Sequence, residues 1–114
     1  MKDHQTQDPM ARFWVEQAAW SNAAFGPESE RGPAGPLKHL VKEVQDELLP
    51  EIAAGKKGYL VEYADLQFLV FDACRRAGWT YDQLVAALFA KLEVNKNRQW
   101  PKTSAGEPVE HVRE

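Results

Sequence analysis

From Leu60 to Ala77 the chain reads LVEYADLQFLVFDACRRA, apolar on nearly every side of a helical wheel yet interrupted by Glu62, Asp65 and Asp72. No other segment constrains the fold as much. A helix that is apolar all round has to be covered on several sides, so this one is expected at the centre of a helical assembly. Carboxylates carried on such a helix lose hydration, which is costly unless a cation or a dense set of donors compensates.

The flanking segments read as helices too. Asp8-Pro9 is a favourable helix start, because Asp accepts hydrogen bonds from free N–H groups and Pro in the first turn has no N–H to leave unpaired. The helix expected there runs from Met10 to Ala24 and is closed by Gly26-Pro27. The stretch GPESERGPAGP, Gly26 to Pro36, is rich in Gly and Pro and is expected to be a loop. From Leu37 the apolar residues Leu40, Val41, Val44 and Leu48 recur at helical spacing, and Pro50 is expected to kink or end that helix. A short continuation, Glu51 to Ala54, stops at Gly55. Gly78 ends the central helix, and Thr80 with Gln83 forms a capping-box pattern for a last helix. Leu84, Val85, Leu88, Phe89 and Leu92 carry that helix to about Arg98, with Trp100-Pro101 at its end. Strand-like alternation and internal repeats are absent. The expected fold is all-α, a bundle of about four helices. It divides into an N-terminal helix and loop (1–36), a helical core (37–101) and a polar tail (102–114) within one domain.

Composition narrows the class. The 114 residues carry 14 Lys+Arg against 17 Asp+Glu, a net charge of −3, with no basic run. That argues against a nucleic-acid polymer as partner. A chain this short buries only about two-thirds of its unfolded surface, so its core is expected to be completed by oligomerisation. The lone Cys74 has no internal disulfide partner and reads as a small buried hydrophobe. The N-terminal MKDHQTQDPM has no apolar run of the kind a secretory signal needs, and no segment approaches the roughly 20 apolar residues that span a bilayer. The expectation is a cytoplasmic protein with no membrane partner.

Chemistry is concentrated in two acidic groups and one basic one. Glu43, Asp46 and Glu47 share one side of the helix from Leu37, while Glu62 and Asp65 stand one turn apart on the central helix. A solvated acidic face is the plain alternative for the first group, less so for the second. Packed antiparallel, the two helices bring these carboxylates to one cation. An all-oxygen donor set selects hard ions such as Mg²⁺ or Mn²⁺. A di-iron bundle needs Glu-x-x-His on two helices, and His4, His39 and His111 are preceded three positions earlier by Met1, Pro36 and Pro108. His39, four residues before Glu43, reads as a surface histidine. Lys91, Asn95 and Arg98, at i, i+4 and i+7, extend an otherwise apolar stripe and suit a phosphate clamp, with Arg98 offering a bidentate fork. A helix-end charge effect is the alternative there. The four tryptophans read mainly as core or lid packing, with Trp20 or another aromatic of the first helix, and after them Trp100, as the candidates to stack on a nucleobase.

Taken in order, GPLKHLVKEVQDE, EYADLQFLVFDACRRAGWT, KLEVNKNRQWP and GEPVEHVRE resemble the phage and prophage dATP/dGTP diphosphohydrolases, the MazZ-like branch of the all-α MazG-like nucleotide pyrophosphohydrolases. The resemblance runs from about Gly35 to the C-terminus. That family's metal signature is Glu-x-x-Glu followed, after a gap, by Glu-x-x-Asp. Here Glu43-x-x-Asp46 with the adjacent Glu47 stands for the first half, and Glu62-x-x-Asp65 for the second. The resemblance implies hydrolysis of a deoxypurine triphosphate between its α and β phosphates with Mg²⁺, for which Mn²⁺ or Co²⁺ substitutes. It further implies metal ligands drawn from Glu43, Asp46, Glu47, Glu62 and Asp65, and a base in Glu43 or Glu47. The phosphates fall to Lys91, Asn95 and Arg98, and the assembly is a homodimer or homotetramer. For a phage-encoded chain the location is the host cytoplasm, where such an enzyme lowers dATP and supplies dGMP for 2-aminoadenine DNA. Two rivals stand beside it: a non-catalytic helical module that binds a partner protein, and a pyrimidine preference within the same fold.

Overall fold

A computed structural model describes residues 8–27 and 31–98. Trp100-Pro101, the tail, His4 and His111 lie outside the described residues. The chain is all-α, and no strand occurs among the described residues. Helix α1 spans Pro9–Phe25, α2 Ala34–Glu43, α3 Leu49–Ala53, α4 Leu60–Arg76 and α5 Tyr81–Lys96, with a π-helical stretch, Val44–Leu48, joining α2 to α3 without a break. The chain divides into two compact units, Met1–Tyr81 and Asp82–Glu114.

The first unit is built from α1, the α2–α3 rod and α4. Asp8 starts α1 as its sequence suggests, its Oδ1 accepting from the N–H groups of Met10 at 3.0 Å and Ala11 at 3.2 Å. Gly26, at φ 95°, closes the helix in the left-handed region that glycine tolerates. Helix α2 begins at Ala34, inside the stretch expected to be a loop. Pro36 falls in its first turn, where the missing N–H costs nothing.

Of the two outcomes expected at Pro50, an end is not the one found: the preceding turn widens, the Leu49 N–H reaching the carbonyl of Val44, five residues back, and the expected short continuation follows. A proline ring clashes with the carbonyl four residues earlier, here Asp46, and leaves it without a donor. The π turn relieves that clash and carries the helix on to Ala53.

Helices α2 and α4 run antiparallel. Gly35 at the start of α2 lies near Arg76 at the end of α4, and Gly58, just before α4, abuts Leu48. Gly58 has φ +81°, and a Cβ there would stand 3.0 Å from Leu48 Cδ2 and 3.2 Å from the Tyr63 ring, so the position requires glycine. Helix α1 covers only the C-terminal half of α4. Phe13 meets Phe68 edge-on at 5.2 Å and Trp14 meets Phe71 at 4.8 Å between ring centroids. Trp14, Leu48, Phe71 and Ala73 are the buried hydrophobic residues, while Leu60 and Val61 at the start of α4 are 84% and 64% exposed. The expected central helix is therefore covered within this unit from Phe68 onward and open over its first turns, because α1 does not reach them. Cys74 is half-buried, and burial raises its thiol pKa, so it stays protonated.

Beneath α1 lies a polar group inside this core. Asp72 accepts from Arg75 Nη2 at 2.6 Å and from Gln17 Nε2 at 3.3 Å. Arg75 Nη2 also donates to Gln17 Oε1 at 3.0 Å, and its guanidinium lies 4.9 Å over the Trp14 ring. The desolvation of Asp72 is thus compensated by a charged partner and an amide.

The second unit contributes α5. Lys96 pairs with Glu93 at 3.3 Å, and Asn97 Nδ2 donates to the Glu93 carbonyl at 3.0 Å as the helix ends. Among the described residues no helix is long and apolar enough to cross a membrane.

Candidate active site

The antiparallel pairing of α2 and α4 brings the two acidic groups of the sequence to facing helices. Glu43, the last residue of α2, and Asp65, in the second turn of α4, line one cavity of about 630 Å³ in the first unit. Trp20, Phe25 and Phe68 form its aromatic part, Arg31 and Arg76 add positive charge, and His39 adds an imidazole. Trp20 packs edge-on against Phe25 at 5.6 Å and Phe68 at 6.5 Å. It is 55% exposed, which leaves much of its surface open to a ligand.

His39 is exposed, as a surface histidine is, and it also meets a carboxylate. Its Nε2 stands 3.2 Å from Glu43 Oε1, so the two side chains, one helical turn apart, orient each other. The sequence did show this spacing.

Glu62 lies one turn N-terminal to Asp65, and the backbone N–H of Tyr59 donates to its Oε1 at 3.4 Å. Its other neighbour is Glu51, a residue the sequence reading passed over. Burial pushes the Glu51 carboxyl above its ordinary pKa. The charges of Glu62 and Glu47 push it the same way, against the pull of Lys56. Glu51 Oε1 is buried with no hydrogen-bond partner among the described residues. Like charges drawn together around an unsatisfied carboxylate oxygen fit a hard cation, which is what an oxygen-only donor set selects.

Asp46 and Glu47 fall inside the π turn. They line a second hollow of about 380 Å³ with Lys38, His39, Lys42 and Glu43. Of the two, it is Glu47 whose charge also acts on Glu51. Among the described residues no three His, Cys, Asp or Glu side chains already converge closely enough to hold a metal ion. The carboxylates are thus gathered as neighbours along one seam, Glu43 with Asp65 and Glu47 with Glu51 and Glu62, without forming a closed shell.

Lys91, Asn95 and Arg98 belong to the second unit, Lys91 and Asn95 on α5 and Arg98 in the turn after it. The Arg98 N–H donates to the Asn95 carbonyl at 3.2 Å. The three residues therefore fall on one helix and its closing turn.

Residues 13–114 match the family model for dATP/dGTP pyrophosphohydrolases. The chain is 44% identical over 103 residues to the Eaa protein of Salmonella phage P22, covering 90% of itself but 30% of that protein's length. Among solved structures it is similar to the cyanophage S-2L MazG-like pyrophosphohydrolase bound to dGDP and three catalytic Mn²⁺ ions per active site. The TM-score is 0.66 at 26% identity, over 91% of this chain and 93% of that one.

Proposed function

Since the chain belongs to the dATP/dGTP pyrophosphohydrolase family, we propose that it hydrolyses dATP and dGTP between the α and β phosphates, giving a deoxynucleoside monophosphate and pyrophosphate with Mg²⁺. The observation that carries this reading is the single cavity in which Glu43 and Asp65 face Trp20 and Phe68, a charged end for phosphates and an aromatic end for a base. The Mn²⁺ and dGDP of the cyanophage relative support it.

Glu43, Glu47, Glu62 and Asp65 are assigned to the cation, with Glu51 added from the structure and Asp46 as the weaker member. Mg²⁺ bound there supplies neutralisation of the triphosphate and acidification of an attacking water, with Mn²⁺ or Co²⁺ as substitutes. Glu47 or Glu43 takes the proton from the water as its oxygen bonds to the α-phosphorus. The α–β bridging P–O bond then breaks and pyrophosphate leaves. His39 holds the Glu43 carboxylate in place through the 3.2 Å contact. Lys91, Asn95 and Arg98 are assigned to the phosphates, where fixed cations stabilise charge that grows on the leaving group. Trp20 is assigned to the base.

The exposed Leu60, Val61, Leu49 and Ile52 of the first unit suit burial against another copy, and we assign a homodimer or homotetramer on that ground. Acting on the nucleotide pool of a host cytoplasm, the enzyme would lower dATP and yield dGMP, the precursor needed where phage DNA carries 2-aminoadenine.

The test is Glu62→Gln. Turnover of dGTP is expected to fall at least about 100-fold, with the helical circular dichroism retained. Turnover within a few-fold of the unsubstituted protein would remove Glu62 and its neighbours from the site.

A further inference from the structure

The proposed chemistry uses the carboxylates of the cavity and the cations of α5, and it leaves Arg31 unexplained. This residue follows Gly26-Pro27 and lines the same cavity as Trp20 and Phe25. Its guanidinium carbon lies 5.9 Å over the Phe25 ring, and Phe25 in turn packs edge-on against Trp20. Arg31 Nε donates to the Pro27 carbonyl at 3.4 Å, a bond that anchors the side chain to its own loop. Nη2 is buried and has no hydrogen-bond partner among the described residues. A buried guanidinium N–H is costly to leave unmade, and an acceptor on a ligand in the cavity would satisfy it.

The position of Arg31 says which part of a nucleotide offers that acceptor. It lies over Phe25, which packs against Trp20, and makes no ion pair with Glu43, Asp65 or Asp72, so it belongs to the end of the cavity suited to a ring. A purine stacked on Trp20 presents N7 along its Hoogsteen edge, and guanine adds O6 beside it. Those two acceptors match the planar fork of an arginine, whereas adenine places an N6 donor beside N7 and pyrimidines lack N7 altogether.

We propose that Arg31 is a specificity-determining residue that donates to N7 and O6 of the purine, selecting purines over pyrimidines and guanine over adenine. This rests on the pyrophosphohydrolase reading above and extends it from phosphate chemistry to base choice. Tyr, Lys or backbone donors elsewhere are not needed for it.

The experiment compares kcat/KM for dGTP and 7-deaza-dGTP, which keeps every phosphate and O6 but replaces N7 by a carbon, in the unsubstituted protein and in Arg31→Ala. In the unsubstituted protein the analogue is expected to be about 5- to 150-fold worse, and in Arg31→Ala the two substrates are expected to be nearly equal. Arg31→Lys, which keeps the charge but loses the fork, should prefer dGTP over dATP less than the unsubstituted protein does. The analogue comparison in the unsubstituted protein stands even if Arg31→Ala folds poorly. Equal use of dGTP and its analogue by the unsubstituted protein, or the same penalty in both proteins, would overturn the role of Arg31 while leaving the enzymatic reading intact. Absence of pyrophosphate release from every nucleotide would remove both.

Discussion

The buried group formed by Gln17, Asp72 and Arg75 offers the sharpest stability prediction. Asp72 and Arg75 are 9% and 8% exposed and meet at 2.6 Å, and Arg75 also donates to Gln17 Oε1 and stacks over Trp14. Replacing Asp72 by Ala takes the 2.6 Å carboxylate from a guanidinium that solvent scarcely reaches. Breaking one side of such a pair costs about 3–5 kcal/mol, most of it from the charge left behind. In a domain of this size each kcal/mol is worth about 4–8 °C, so Tm is expected to fall by at least about 12 °C. Thermal and urea unfolding followed by circular dichroism reads the loss directly. Replacing both partners together, Asp72→Leu with Arg75→Met, should recover most of it, because no charge then remains buried. A loss below about 1 kcal/mol for Asp72→Ala, the value of an exposed pair, would show that water reaches Arg75 and that the burial argument is wrong.

Three further outcomes follow from the site and its frame. Glu47→Gln should lower kcat for dGTP by about 100-fold or more, as loss of a general base does, whereas Asp46→Asn should stay within a few-fold; the reverse order in steady-state kinetics would transfer the role to Asp46. Glu51→Gln should raise Tm in EDTA at neutral pH and reduce the gain in Tm on adding Mn²⁺. The sign follows from its raised pKa: the folded protein binds that proton more tightly than the unfolded chain, so stability falls as pH rises through the folded value, and an amide removes the repulsion. Gly58→Ala should destabilise by more than about 1–2 kcal/mol, the left-handed backbone penalty alone, because the new methyl also meets Leu48 at 3.0 Å; an unchanged urea midpoint would contradict this.

Much of the fold was legible because its signals are local. The Asp8-Pro9 start, the glycine ends at Gly26 and Gly78, and the 3.6-residue period after Leu37 each depend on neighbours in sequence. Pro50 left a kink and an end both open for the opposite reason. Whether a proline breaks a helix depends on whether the turn before it can widen, and that turn packs Leu48 against Gly58 from outside the helix. Glu51, expected in the short continuation, was not joined to the acidic groups, because only a rod that runs on through Pro50 sets it one further turn beyond Glu43 and Glu47. That Glu43 and Asp65 line one cavity depends on how the two acidic helices pack, whereas spacing shows only which carboxylates share a side of each helix. The role of Asp72 did not, because its partners Gln17 and Arg75 come together only when α1 crosses α4. Arg31, in a Gly- and Pro-rich loop, carries no periodic signal at all.

The central claim is metal-dependent hydrolysis of deoxypurine triphosphates. Its most direct test is pyrophosphate release from the eight common NTPs and dNTPs by the purified full chain, with Mg²⁺ or Mn²⁺ and with EDTA as control. Release confined to dATP and dGTP and abolished by EDTA is the expected result. Release that survives EDTA, or none from any nucleotide, would contradict the account.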